Sequence, residues 1–156
     1  MYHDSWTIIT HPDDRLRGKA EDVLVQEITT PEFQAFADTF GAFMIESDGV
    51  GLAAPQIGLK KRIIAVLEKD KINVYANPEI LKASQALQES EEGCLSVPKT
   101  WGLVDRPKRL RIRAINRHGR SVEFDVSGFT ATVFDHEIDH LNGVLFIDKA
   151  KKIKKK

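Results

Sequence analysis

The sequence contains very little cysteine: Cys94 is the single one among 156 residues. An intramolecular disulfide is therefore excluded, which fits a reducing compartment. Long apolar runs are also missing, and none approaches the roughly 20 residues that a membrane-spanning helix needs. The first residues have neither the charged nor the apolar segment of a signal peptide. These absences predict a cytoplasmic protein that makes no membrane contact.

Net charge is absent as well, because 23 Lys and Arg residues balance 23 Asp and Glu residues. An overall basic character, which would favour a nucleic-acid partner, is missing, and we expect no DNA binding. The charges are unevenly distributed, since residues 149–156 contain six lysines and no acid. We expect one domain over residues 1–148, followed by a disordered basic tail over residues 149–156.

Two helices are predicted from apolar residues at helical spacing. Thr30 followed by Pro31 is typical of a helix start, and the apolar stripe behind them extends an N-terminal amphipathic helix over residues 31–46. A second helix opens at residue 127 or 128 and ends near Gly143, which stands where a left-handed C-terminal residue belongs. Apolar residues cover most of its circumference, so we expect it to be buried beneath sheet.

Strands account for much of the rest. Apolar runs predict strands at residues 62–67 and 72–76, and an Asn-Pro pair at 77–78 ends the second. Apolar and charged residues alternate over 109–114 and 121–126, which predicts a hairpin with arginines opposite acidic residues on its solvent face. We therefore expect an α+β fold in which mixed or antiparallel sheets pack around the central buried helix.

That central helix contains the sequence His-Glu-Ile-Asp-His over residues 136–140. Residues four apart project from one helix face, so His136 and His140 can reach one metal ion. Glu137 lies beside them, where it can take a proton from a bound water. The pattern is typical of metal-dependent hydrolases. Two histidines are not a complete catalytic site, however, because three protein ligands and an open position are usual.

The third ligand is expected upstream. After His140 the sequence contains no further His, Cys or Glu, and Asp148 is the one remaining donor. Upstream, Cys94 is the strongest candidate, because a thiolate is a good ligand for zinc or iron. The alternative for Cys94 is a small buried apolar residue. The other upstream histidines lie in turns or near the terminus and are competitors: His3, His11 and His118.

A glycine-rich loop follows the first helix. Three glycines and a proline between residues 49 and 58 forbid a regular element, and small residues let a substrate backbone come close. Gln56 is the single polar side chain of residues 52–57. By itself this segment is either an ordinary loop or part of a binding site.

Three segments together resemble the motifs of the peptide deformylase family. They are residues 49–56 (Gly-Val-Gly-Leu-Ala-Ala-Pro-Gln), 92–96 (Glu-Gly-Cys-Leu-Ser) and 136–140, in the order and approximate spacing of that family. The resemblance implies hydrolysis of the N-formyl group from the N-terminal formyl-methionine of newly synthesised proteins, with release of formate. It also implies N-formylmethionyl peptides as the partners of a monomeric enzyme.

The resemblance implies roles for individual residues. Cys94, His136 and His140 would bind one divalent metal, with Fe²⁺ as the native ion and Zn²⁺ or Ni²⁺ as substitutes; the ligand types alone favour zinc. Glu137 would be the general base. The Gln56 side chain and the Leu95 backbone N–H would stabilise the oxyanion. Seven residues would bind the peptide and its methionine: Gly49, Val50, Gly51, Gly93, Phe129, Thr132 and Val133.

Several positions depart from the family pattern. Asp135 replaces the usual Gln, and we expect it either behind the metal ligands or at the surface. Thr132 stands where a bulkier apolar or a basic side chain is common, and could enlarge the methionine pocket. Lys99 and Trp101 are unusual in their segment, and could change which residue is preferred after methionine. The C-terminus is short compared with that of many family members, which continue into a further helix.

Alternatives to a deformylase remain at this stage. These departures motivate a metal-containing relative that binds formylated nascent chains or ribosomes without turnover. A general endopeptidase is disfavoured, because a ligand downstream of His140 is missing. The six lysines of the tail are either a solubilising end or a transient contact with ribosomal phosphates.

Overall fold

The computed structural model describes residues 5–156 of the chain. Its α-helices are α1 (Val25–Ile28), α2 (Pro31–Glu46) and α3 (Gly128–Leu141). Its strands are β1 (Gly51–Ala53), β2 (Ile63–Glu68), β3 (Lys71–Ala83), β4 (Leu87–Cys94), β5 (Val97–Pro107), β6 (Arg109–Asn116), β7 (Ser121–Ser127) and β8 (Lys152–Lys155). Single turns of 3-10 helix lie at Asp14–Leu16, Ala54–Ile57 and Phe146–Asp148. None of the helices in residues 5–156 combines the length and apolarity needed to cross a bilayer.

The strands form two antiparallel sheets. The larger sheet has the strand order β1-β2-β3-β6-β7, and the smaller has the order β4-β5-β8. Neighbouring strands pair in antiparallel register in both sheets. An α+β fold with antiparallel sheets is therefore confirmed.

The larger sheet is covered by a helix on each face, as the side chains of its second strand, β2, demonstrate. Successive side chains of a strand point to opposite faces. Ile64 and Val66 pack in one core with Phe134 of α3, whereas Ile63 and Ala65 pack in another with α2. The run at 62–67 thus supplies buried residues to both faces.

The ends of both long helices have local causes. The Thr30 hydroxyl accepts a hydrogen bond from the Phe33 N–H at 3.2 Å, and Pro31 occupies the first turn of α2. After α3, Gly143 adopts a left-handed φ of 76°. A Cβ at Gly143 would collide with the backbone of Arg17, so glycine is required there for space as well as for conformation.

Strand β3 does not end at residues 77–78, so that prediction is wrong. The strand continues to Ala83, with a register shift between Ala76 and Glu79 where it pairs with β6. Asn77 is left-handed at φ 51°, and its side-chain amide bonds both backbone groups of Val23 at 2.8 and 2.9 Å. A β-bulge accommodates a proline because its residues are left out of the ladder.

The basic tail also differs from the prediction of disorder. Residues 152–155 form β8, which pairs with residues 100–103 of β5. Strand β5 would otherwise present a free edge of unpaired backbone groups, and β8 satisfies that edge while its own lysines stay exposed. Lys156 lies over the Trp101 ring, with Nζ 5.3 Å from the ring centroid.

Candidate metal and active site

The smaller sheet and α3 bring three metal-ligating side chains together. Cys94 ends β4, whereas His136 and His140 lie one turn apart on α3. Their ligand atoms all lie within 4.8 Å of one another, and Cys94 Sγ is 3.3 Å from His140 Nε2. Within residues 5–156 this is the one such group. Two of the competing histidines, His11 and His118, are therefore not part of it, and His3 lies outside the described residues.

The donors of this group fit a divalent transition metal with an open coordination position. One sulfur and two imidazoles are ligands that zinc and iron accept, and three protein ligands are typical of catalytic sites. Among the described side chains, the buried atoms without a hydrogen-bond partner are Glu137 Oε1 and His140 Nδ1. A buried carboxylate oxygen needs a partner, and a water at the metal would supply one to Glu137. Burial raises the pKa of Glu137 to about 7.

The two histidines differ in their electrostatic surroundings. Burial would lower the pKa of His136, but contacts with Cys94 and Glu92 outweigh it and raise that pKa to about 10. His136 Nδ1 lies 2.8 Å from Glu92 Oε1. Burial, with His136 nearby, holds the pKa of His140 well below its ordinary value. His140 is thus neutral at pH 7, the form in which imidazole binds a metal.

Behind the ligands lies a buried ionic cluster, which we call the Arg106 cluster: Arg106, Glu92, Asp135 and Asp139. The Arg106 side chain is 0% exposed. Its guanidinium donates to both oxygens of Glu92 at 2.7 and 2.8 Å, to Asp135 at 3.1 Å and to Asp139 at 2.6 Å. Burial would raise the pKa of Glu92, but the Arg106 hydrogen bonds lower it to about 2. Asp135 therefore lies behind the metal ligands, and the surface alternative is wrong.

Gln56 is directed into the site by two fixed hydrogen bonds. Its Oε1 accepts from the Ala53 N–H at 2.9 Å, and its Nε2 donates to Ser96 Oγ at 3.0 Å. Nε2 also lies 3.7 Å from Cys94 Sγ. The glycine-rich segment is therefore part of the site, because it holds a buried amide beside the candidate ligands.

A cavity of about 470 Å³ opens onto these groups. All seven residues expected to bind the peptide line it, together with Gln56, Leu95, His136 and Glu137. The backbone of Gly51 lies close to the Glu137 carboxylate, and a Cβ at this position would lie 2.5 Å from Glu137 Oε2. Glycine is therefore required for this close approach. The structure thus brings the expected site residues to one cavity with Cys94 in its wall.

Comparison with known proteins identifies the family. A sequence model described as polypeptide deformylase matches residues 6–156. The peptide deformylase of Desulforudis audaxviator is 45% identical over 150 residues, which cover 96% of each chain. The chain belongs to the peptide deformylase family. The resemblance drawn from the three motifs is confirmed, and the chain is a hydrolase of that family.

Solved deformylase structures have the same fold. The crystal structure from Thermotoga maritima has a TM-score of 0.89 and 35% identity, with 94% of this chain and 98% of that chain covered. A class I type b deformylase from Acinetobacter baumannii, solved with Met-Ala-Ser bound, also gives 0.89 and 35%, covering 92% and 97%. The similarity therefore spans nearly the whole fold.

Sequence reasoning found the groups expected at this deformylase site and gave Asp135 a place behind them as one of two alternatives, but it assigned no role to the other residues there. Glu92 and Ser96 lie within the motif around Cys94, and their distance of two residues from it was the available signal. Arg106 lies outside the three motifs, and its contact with Glu92 depends on the pairing of β4 with β5. Asp139 lies inside the helical motif, one turn after Asp135 on the same face.

Proposed function

We propose that this chain removes the N-formyl group from the N-terminal formyl-methionine of newly synthesised proteins and releases formate. One observation carries the proposal: in a chain of the peptide deformylase family, one thiol and two imidazoles converge beside Glu137, whose buried Oε1 has no partner among the described residues. Binding without turnover is not favoured, because the curated relatives that the chain matches are peptide deformylases.

Cys94, His136 and His140 would hold one divalent metal, a Lewis acid that polarises the formyl oxygen and lowers the pKa of a water. Fe²⁺ is our choice for the native ion, with Zn²⁺ or Ni²⁺ as substitutes. Metal analysis after anaerobic purification tests this choice, and zinc as the sole bound metal would contradict it.

Glu137 is the proton carrier in this proposal. Its carboxylate takes a proton as water adds to the formyl carbon, and then delivers it to the methionine nitrogen as the C–N bond breaks. Its burial and its raised pKa suit both halves of this transfer, since a carboxyl group that titrates near pH 7 accepts and donates readily.

Gln56 and the Leu95 backbone N–H stabilise the negative charge that develops on the formyl oxygen. One N–H of the Gln56 amide donates to Ser96 Oγ, and the second donates weakly to Cys94 Sγ at 3.7 Å, on the side where the formyl oxygen would lie. Both donors line the cavity. Donors fixed in advance in this way are effective because they need no reorganisation during the reaction.

The methionine side chain would contact Val50, Phe129, Thr132 and Val133. Val50 and Phe129 are exposed apolar residues of the cavity rim, at 42% and 69% exposure. Exposed apolar groups at a cavity indicate an apolar ligand. The peptide backbone would lie along residues 49–51 and Gly93 as an added strand.

The residues that follow methionine would meet Lys99 and Trp101, which line the same cavity. Lys99 is left-handed at φ 59°, a conformation that glycine adopts without strain. We expect these two side chains to change the preference after methionine. Comparison of formyl-Met-Ala-Ser with peptides varied beyond methionine tests this.

Formate release decides the proposal. Protein loaded with Fe²⁺ or Ni²⁺ and incubated with formyl-Met-Ala-Ser should release stoichiometric formate, while acetyl-Met-Ala-Ser serves as the matched control for general amidase activity. Fully metallated protein that releases no formate would contradict the function. Cleavage of casein would instead indicate an endopeptidase.

We expect the enzyme to act as a monomer in the cytoplasm, where formylated chains emerge from ribosomes. The exposed lysines of β8 and the residues around it are suited to transient contact with ribosomal phosphates. Salt-dependent cosedimentation with ribosomes tests this contact. A Lys154→Glu and Lys155→Glu variant that sediments like the parent protein would rule it out.

A further inference from the structure

We infer that Arg106 and Asp135 are positioning residues that act through Glu92 to orient His136, and that they thereby determine how firmly the site retains its metal. The inference rests on the metal site proposed above. Glu92 lines the cavity, whereas Arg106 and Asp135 do not.

The contacts form a continuous path from the cluster to one ligand. Arg106 binds both oxygens of Glu92, and Glu92 Oε1 also lies 2.8 Å from His136 Nδ1. A carboxylate at Nδ1 fixes the proton on that nitrogen, which leaves the lone pair of Nε2 for a metal and makes the ring a stronger donor. Arg106 therefore controls the orientation of His136 without touching it.

Asp135 enters this path through its competition for the guanidinium. Arg106 Nη1 donates to Asp135 and Asp139, and Asp139 has a second cation in Lys149 at 3.0 Å. Among the contacts of the described residues, Arg106 is the cation of Asp135. Asp135 thus draws positive charge away from Glu92, which leaves Glu92 a better acceptor for His136.

The same arrangement opposes folding in the absence of metal. Three carboxylates with side-chain exposures of 6, 12 and 13% share one fully buried guanidinium. Concentrated negative charge in a buried site costs stability, and a metal cation would offset that cost. The charge of Asp135 should therefore strengthen metal retention while it weakens the metal-free fold.

The variant Asp135→Asn separates these effects, because it removes the charge and keeps the shape and one acceptor oxygen. In the full chain loaded with Zn²⁺, we expect the rate of metal loss to a chelator to rise about 10-fold, at the lower end of what residues behind metal ligands contribute. The unfolding temperature of the metal-free variant should equal or exceed that of the parent. In the Co²⁺-loaded protein the visible absorption bands should shift.

The matched control is Asp125→Asn, which removes a carboxylate paired with Arg111 at 3.1 Å on the exposed hairpin; its metal loss should equal that of the parent. Arg106→Lys should accelerate metal loss more, by about 10–100-fold. If that variant does not fold, Asp135→Asn decides alone.

Two results would overturn the inference. One is metal loss from Asp135→Asn at the parental rate. The other is faster loss accompanied by a matching fall in the unfolding temperature of the metal-free protein, which would indicate a purely structural role. A parent protein that binds no metal, or binds it and releases no formate, would instead refute the proposed function.

Discussion

Two arginines on strands of different sheets, Arg106 of β5 and Arg111 of β6, make similar contacts in different surroundings. Arg106 donates to carboxylates at 2.6 to 3.1 Å, and Arg111 donates to Asp125 and Glu123 at 3.1 and 3.3 Å. The Arg106 side chain is fully buried, however, whereas that of Arg111 is 43% exposed. Similar pairing geometry therefore occurs once behind a metal site and once on a solvated face.

The difference shows that exposure to solvent determines how strongly an ion pair affects stability and neighbouring groups. Water screens the charges of the exposed hairpin, and such pairs contribute little to stability. The side chains of the Arg106 cluster are shielded from solvent, so the charges act on each other and on His136 at close range. Polar groups buried at the site should accordingly respond strongly to substitution, and those on the hairpin weakly.

Glu137→Gln should give the largest effect, since Glu137 is buried and its Oε1 has no hydrogen-bond partner within residues 5–156. Glutamine keeps the shape but cannot carry the proton, so we expect the rate of formate release to fall by about 10²–10⁴-fold. Metal content, measured by atomic absorption, should stay at the parental level. Loss of metal together with activity would mean that Glu137 is structural instead.

Gln56→Leu should give the second-largest loss of activity. The substitution removes the side-chain donor of the oxyanion site, for which a loss of about 10²–10³-fold in kcat is typical. It also leaves the buried Ala53 N–H unpaired, which costs about 1–3 kcal/mol of folding free energy. Steady-state kinetics and urea unfolding separate the two effects. A kcat within threefold of the parent would exclude Gln56 from the reaction.

Gly51→Ala tests the close contact beneath the cavity. The added Cβ would lie 2.5 Å from Glu137 Oε2, so the carboxylate must shift. Displacement of a reacting group by about 1 Å can cost 10²-fold in rate, and we expect a loss of that order with metal still bound.

The control for this variant is Gly51→Ala combined with Glu137→Gln, which should be no slower than Glu137→Gln alone, because both changes act on the same carboxylate. Multiplied losses in the combined variant would show that Gly51 acts separately.

The exposed hairpin and the buried Arg106 cluster also differ in how well the sequence predicts them. Helical spacing located α2 and α3, and alternation located the β6–β7 hairpin, because such periodicity reflects which side faces the core. Cys94, His136 and His140 could be proposed as ligands from the sequence, because metal ligands are restricted in residue type and spacing. The pattern also identified the hairpin arginines as a solvated face.

The Arg106 cluster and strand β8 could not be predicted from periodicity or from ligand spacing. Arg106 reaches Glu92 across the β4–β5 pairing, and Asp135 departs from the residue that the family resemblance led us to expect. The pairing register that buries Arg106 is not encoded in a short local pattern. The lysines of residues 149–156 suggested disorder. The edge of β5 with which residues 152–155 pair forms only when the chain folds, so no sequence pattern indicated this pairing.

Arg111→Ala should give the smallest effect. It removes the contacts with Asp125 and Glu123 on the exposed face. Solvent and salt screen these charges, and fixing the side chains in one geometry costs conformational entropy, so the contacts contribute little to stability. We expect unchanged formate release and no measurable shift of the urea midpoint in 0.15 M salt. At low salt the two carboxylates repel each other more strongly, so a small destabilisation should emerge. A large loss at physiological salt would mean that the hairpin charges behave like those of the Arg106 cluster, and that burial does not explain the contrast between the two arginines.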